Sequence, residues 1–286
     1  MNPTLSGILA LFIFSIGTIL VALSGDIPPF QLSSLMFFSG AITIWLYFRK
    51  VGTDFRGKLK APISQYMVMF LGVGIYSILL NIAFKTAPAF EINMLNYLWP
   101  ILLVLFAKLL KKQRLRASEL LGMILGFVGM CVIFMPQDGA LFAHVGTGHV
   151  LIILAAVVWA FYSAFVSEKH YSVVLLIPVM AFSGCMSFVL HVLFEQTIWV
   201  QPASVWIAVL VFCLTRFCFA LWDYGMRKGD QILLSSLSYF LPLLSSLYFI
   251  AFGFMPVRAG VAIGGAFIIV GCVIVNIHHL KRLIKR

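Results

Sequence analysis

The chain of 286 residues is 62% hydrophobic and only 10% charged, with a net charge of +11. A water-soluble domain of this length needs far more polar surface around its core, so this composition excludes one. The basic excess sits in short clusters between apolar runs, as membrane orientation signals do, and this excludes a nucleic-acid-binding face.

Apolar stretches of about 18–22 residues recur along the whole chain, each long enough to cross a hydrocarbon core as a helix. Ten spans are predicted, near 4–24, 30–49, 63–85, 89–109, 117–135, 148–168, 173–194, 204–225, 230–252 and 258–278. No connecting segment is long enough for a separate soluble domain, so the expected fold is a single all-α integral membrane unit. Span 1 has no basic residue before it and no small-residue cleavage site after it, and so reads as an uncleaved helix. With the N-terminus in the cytoplasm, seventeen of the twenty Lys and Arg fall in cytoplasmic loops or the C-terminal tail. Lys85 and Arg258 remain outside, and Arg216 lies within span 8. Both termini are therefore expected in the cytoplasm.

Taken in chain order, the polar and aromatic residues within the spans supply the candidate site. Span 3 carries Tyr76 and Asn81, and the short outer turn into span 4 is flanked by Lys85 and Glu91. These two charges read first as solvated mouth residues, while Glu91 could also recognise an amino group or carry a coupling proton. Span 4 adds Asn93, Asn96, Tyr97, Trp99 and Pro100. Trp99 sits mid-helix, away from the interfacial belt usual for Trp, beside a Pro that can kink the helix. Span 6 contributes Trp159 and Tyr162, for cavity lining or for packing. His191 in span 7 reads as a hydrogen-bonded structural residue.

Arg216 in span 8 is the sharpest signal, because a bare guanidinium at the bilayer centre costs about 3 kcal/mol on insertion scales. Either it binds a substrate carboxylate as a fork, or it pairs with backbone carbonyls or with Asp223, two turns on along the same face. Span 9 carries Tyr239 and Pro242. Tyr97 and Tyr239 need hydroxyl partners in a bilayer, from the protein or from a solute alike. Asp26, Asp54, Glu119, Asp138, Glu168, Glu195 and Asp230 lie in or near loops and read as solvated. The five cysteines fall in apolar segments without metal-ligand spacing and read as small core residues; no metal or other cofactor is expected.

The sequence also matches itself at an offset of 142 residues. Asn96-Tyr97-Leu98-Trp99-Pro100 aligns with Ser238-Tyr239-Phe240-Leu241-Pro242, Gly122 with Gly264, and Gly129 with Gly271. Spans 1–5 (residues 1–140) and spans 6–10 (residues 141–286, including the basic tail) therefore read as two copies of one unit. Five is odd, so the second copy enters the membrane inverted. Inverted repeats allow two mirror-related packings with a substrate site near the midplane, the basis of alternating access. The glycines themselves read as helix-contact positions.

Glu91 to Pro100, Gly225-Met-Arg-Lys-Gly229, Ser235 to Pro242 and Trp159-Ala-Phe-Tyr162-Ser163 together resemble the drug/metabolite transporter superfamily, EamA type. The resemblance spans nearly the whole chain. It implies a ten-helix exporter of the bacterial inner (plasma) membrane, with a central cavity lined by spans 1, 3, 4, 6, 8 and 9. The implied substrates are amino acids, aromatic or apolar, or similar small metabolites; the alternative is an exporter of other amphipathic metabolites or drugs. Span 1 departs from the pattern, with Gly17 and its neighbours where many members carry a Trp. No enzyme motif is present: there is no HExxH, GxSxG or Gly-rich phosphate loop. A receptor or scaffold would usually carry a soluble domain, and a channel a selectivity filter. The expected partners are the lipid bilayer and a small solute, with no nucleic acid. Packing glycines serve contacts within one chain or between chains, so they fix no oligomeric state.

Overall fold

A computed structural model describes residues 2–135, 145–168, 172–254 and 256–284. Ten helices among them are long and apolar enough to span a bilayer. They are α1 (Pro3–Leu23), α2 (Pro29–Lys50), α3 (Ile63–Thr86), α4 (Glu91–Leu110) and α5 (Ala117–Phe134), followed by α6 (Thr147–Val166), α7 (Val173–Phe194), α8 (Ala203–Lys228), α9 (Gln231–Ala251) and α10 (Ala259–Ile277). The protein is an all-α, multi-pass membrane protein. The expected repeat boundary at 140/141 lies outside the described residues, as do Asp138 and the side chain of Glu168.

Local chemistry sets the helix ends. Asn2 caps α1, its side chain accepting from the Thr4 amide at 2.9 Å. Prolines start α2, where a missing N–H costs nothing. Gly25 and Gly52 adopt positive φ in the turns after α1 and α2. Outward-facing positions are apolar, as a lipid-facing surface requires: Phe188, Val192 and Leu193 on α7, Ile207, Leu210 and Leu214 on α8.

The main helix contacts pair α1 with α8, α3 with α6, α1 with α9, α4 with α6, α2 with α7 and α5 with α10. Exchanging the first five helices for the second five leaves this set unchanged. The α5–α10 contact shows the relation at the atomic scale. A Cβ on Gly122 would lie 2.5 Å from the Gly271 carbonyl, and one on Gly129 would lie 2.5 Å from the Gly264 carbonyl. These are the four glycines matched by the 142-residue offset, each copy opposing the other's partner. Gly122 faces Gly271 while Gly129 faces Gly264, so the two helices run antiparallel. Such a self-complementary contact is what a two-fold relation between the halves produces.

Among the described residues, four spans are interrupted. In α4 the segments Ala89–Asn96 and Trp99–Leu110 are separated at Tyr97 and Leu98. In α9 the segments Gln231–Leu237 and Phe240–Ala251 are separated at Ser238 and Tyr239. The expected kinks at Pro100 and Pro242 thus appear as breaks just before each proline, placing the proline within the first turn of the new segment. Two further interruptions carry no proline. A π turn at Leu71–Ile75 divides α3, and α8 breaks between Thr215 and Cys218. Gly72 and Gly74 lie in the π turn, where they admit the Tyr162 ring of α6 and the Ser183 hydroxyl of α7.

Candidate functional site

The interruptions of α3, α4 and α8 meet around one group of aromatic side chains. Trp159 on α6 is its hub. Its ring centroid lies 5.1 Å from Tyr76, 6.3 Å from Trp99, 5.6 Å from Tyr162, 6.0 Å from Phe219, 6.3 Å from Trp222 and 6.5 Å from Phe14. Trp99, at the start of the second segment of α4, meets Trp222 edge-on at 5.7 Å. Trp222 stacks on Trp159 with an interplanar angle of 18°, whereas most of the other pairs are edge-to-face. Trp99, Trp159, Tyr162 and Trp222 are all buried. The helix breaks place these rings here: Tyr76 opens the segment after the π turn, Trp99 the one after the α4 break, and Phe219 and Trp222 the one after the α8 break.

Polar groups frame the rings. The Asn96 amide donates to the Tyr76 hydroxyl at 3.3 Å, and its own oxygen has no partner among the described residues. The Tyr162 hydroxyl donates to Asp223 Oδ1 at 3.1 Å, and the Trp222 indole N–H donates to the Ser163 hydroxyl at 3.2 Å. Arg216, at the α8 break, lies over the Phe212 ring at 4.2 Å and near the Phe219 ring at 5.7 Å.

Of the sequence candidates, Tyr76, Asn96, Trp99, Trp159, Tyr162 and Arg216 are therefore brought together. Others are elsewhere. Tyr97 stacks on Phe134 of α5 at 6.4 Å. Tyr239 packs among Val104, Met123, Ile133, Ile268 and Val275 near the α5–α10 contact. Asn81 joins α3 to α2 through the Ser33 hydroxyl at 2.8 Å. Phe14, Phe219 and Trp222 belong to the group but were not singled out from sequence. For Trp222 a signal existed, since it is an indole well inside a span, as Trp99 is. Phe residues number 27 in this chain, so Phe14 and Phe219 carried no comparable mark.

Several charged residues differ from expectation. Asp223 does not pair with Arg216. Arg227, one turn beyond it, takes both its oxygens, at 2.7 Å and 3.0 Å. The α8 break is the reason, because it ends the helical register that would have put positions 216 and 223 on one face. Glu91 is not a solvated mouth residue: it is buried, with the His149 Nε2 at 2.6 Å. His149 in turn accepts the Gly146 amide at Nδ1, 3.1 Å away, which places its proton on Nε2.

Glu195 is also enclosed. It accepts from Lys85, from the Phe30 and Gln31 amides at the start of α2, each at 3.1 Å, and it bonds His191 at 3.0 Å. Burial alone pushes the Glu195 carboxyl up, but hydrogen bonds from Lys85, His191 and the two amides together hold it below its ordinary range. Glu119 is buried against Lys108 at 3.0 Å, and Asp230 caps α9 through the Leu233 amide at 3.0 Å. In each case a helix terminus supplies donors that a sequence reading of loops does not reveal. The cysteines are free thiols, Cys213 and Cys218 buried and Cys185 exposed on the outward face of α7.

Comparison with known proteins agrees with this architecture. Residues 2–135 match the EamA-like transporter family. The chain is 31% identical over 285 residues to the aromatic amino acid exporter YddG of Ancylobacter novellus, covering 96% of this chain and 97% of that protein. It is 28% identical over 177 residues to YddG of Escherichia coli, covering 55% of this chain and 57% of that protein. A crystal structure 28% identical in sequence superimposes with a TM-score of 0.88 and covers 99% of both chains. A transporter rather than an enzyme is what a buried aromatic site between interrupted membrane helices and these relatives jointly describe, and the chain belongs to the EamA-like transporter family.

Proposed function

We propose that the protein exports amino acids with aromatic or apolar side chains, working by alternating access between two inverted five-helix halves, residues 1–140 and 141–286. The observation that carries this reading is the convergence of Trp99, Trp159 and Trp222 with Phe14, Tyr76 and Phe219 where α3, α4 and α8 are interrupted. Rigid rings in edge and stacked contact form a surface that takes another aromatic ring with little reordering. The α3, α4 and α8 breaks lie beside the rings, so rotation of the half-helices about them changes the site directly. The name of the Ancylobacter novellus relative supports the substrate class.

Both termini are cytoplasmic in this reading, following the basic clusters. The Glu91–His149 contact and the Glu195 group then tie together the outer ends of α2, α3, α4, α6 and α7. Arg227–Asp223 and the bond from Lys111 to Gln231, at 2.7 Å, lie at the inner ends. Pro100 and Pro242 are the symmetry-related pivots of α4 and α9. Growth tests the assignment: bacteria expressing the protein should withstand toxic aromatic amino-acid analogues at higher doses than vector controls. Protection against unrelated cationic dyes, with none against the analogues, would instead support export of amphipathic drugs.

A further inference from the structure

Arg216 is more than nine-tenths buried, yet among the described residues no carboxylate is in contact with it. Its Nη1 meets only the Met36 sulfur at 3.4 Å, its Nη2 meets the Thr215 hydroxyl at 3.1 Å, and its Nε has no partner. A sulfur and a hydroxyl are neutral, so the cation is left without a counter-charge. The alternatives available to it are taken. Both oxygens of Asp223 are held by Arg227, and Oδ1 also accepts from Tyr162. At the break, the Phe212 carbonyl accepts the Thr215 hydroxyl at 2.6 Å, and the Cys213 carbonyl accepts the Ser39 hydroxyl at 3.2 Å.

The neighbouring helices approach Arg216 closely through glycines. Glycines face Arg216 from α1 and α2: a Cβ on Gly17 would lie 3.2 Å from Nη2, and one on Gly40 would lie 3.2 Å from the arginine Cβ. Phe219 links the guanidinium to the rings, lying 5.7 Å from it while touching Phe14 at 5.5 Å and Trp159 at 6.0 Å.

We propose that Arg216 is the carboxylate anchor of the transported solute. Its free Nε–H and the remaining Nη protons form the fork, while the solute's ring lies against Phe14, Trp159 and Phe219. This rests on the exporter reading and narrows it to solutes carrying both an apolar ring and a carboxylate. A planar guanidinium with several unused donors suits that group better than a point-charge ammonium does.

The test uses the purified full-length protein in proteoliposomes, with competition against labelled L-phenylalanine counterflow. The competitors are L-phenylalanine, 3-phenylpropionate, L-phenylalanine methyl ester and 2-phenylethylamine. The two acids are expected to compete, and the ester and amine to be weaker by about tenfold or more. Arg216→Lys should raise the apparent KM by roughly five- to tenfold. Arg216→Met should lose the preference for acid over ester. Melting and gel-filtration profiles identify variants that fold, and the Lys variant supplies the readout if the Met variant does not. Equal competition by acid and ester in the unaltered protein would overturn the proposal, as would unchanged selectivity in a folded Arg216→Met protein; in the latter case phenylalanine counterflow leaves the exporter reading standing. If no amino acid is exchanged but 3-phenylpropionate still quenches tryptophan fluorescence in an Arg216-dependent way, the exporter reading falls and the anchor stands.

Discussion

Trp159 touches six aromatic side chains contributed by α1, α3, α4, α6 and α8. Each aromatic contact is worth about 0.5–1.5 kcal/mol beyond simple burial. Trp159→Ala or Trp99→Ala should therefore lower kcat/KM for an aromatic amino acid by about tenfold or more, measured in vesicles with matched protein content. Tyr239→Phe makes the opposite case. The Tyr239 hydroxyl has no partner among the described residues and lies by the α5–α10 contact, so its removal should leave transport within about twofold. Asn81→Ala should cost stability rather than transport, about 0.6 kcal/mol for an interhelical hydrogen bond, read as a lower melting temperature. Residue types drew attention to Trp99, Trp159 and Arg216 because each is unusual inside a membrane helix. They did not separate Asn81 from Asn96, since both are amides at similar depth and only the partners differ.

Helix lengths and ends were readable from hydropathy and breakers, because a bilayer leaves a helix few alternatives. Interruptions were readable only where a proline marks them. The breaks in α4 and α9 are announced by Pro100 and Pro242, but the α3 π turn and the α8 break depend on other helices. Tyr162 packs against Gly72, and the Ser39 hydroxyl of α2 donates to the Cys213 carbonyl at the α8 break, contacts that no local pattern encodes. The glycines of the α5–α10 contact, by contrast, were legible as helix-contact positions, though not which helix each one meets. Gly129→Val should destabilise it by about 1–3 kcal/mol through overpacking, because its Cβ would press on the Gly264 carbonyl. Gly146→Ala should be tolerated, as nothing lies within 4 Å of its Cβ position. Melting in detergent measures both.

At the scale of the whole molecule, charge is distributed unequally between the two ends of the bundle. Glu195 alone gathers α2, α3 and α7. Its carboxyl is held below the ordinary value of 4.5, so its stabilisation is present above that pH and is lost as pH falls through the lower folded value. Acidification below about 4.5 should thus lower the melting temperature of the unaltered protein more steeply than that of Glu195→Gln. The variant should also melt lower at neutral pH, because Lys85 loses its anionic partner. Equal slopes in the two proteins would show that the acid response arises elsewhere. Such enclosed carboxylates were not legible in the sequence, where Glu91, Glu119 and Glu195 all stand at span ends and look solvated.

In the proposed function, the aromatic site carries an amino acid across the membrane. Counterflow of labelled L-tryptophan into proteoliposomes preloaded with unlabelled L-tryptophan puts this transport to the test. Saturable, transient accumulation that requires the preload is expected, abolished or strongly reduced in Trp159→Ala. No accumulation above protein-free vesicles, or accumulation of equal size in a folded Trp159→Ala protein, would contradict it.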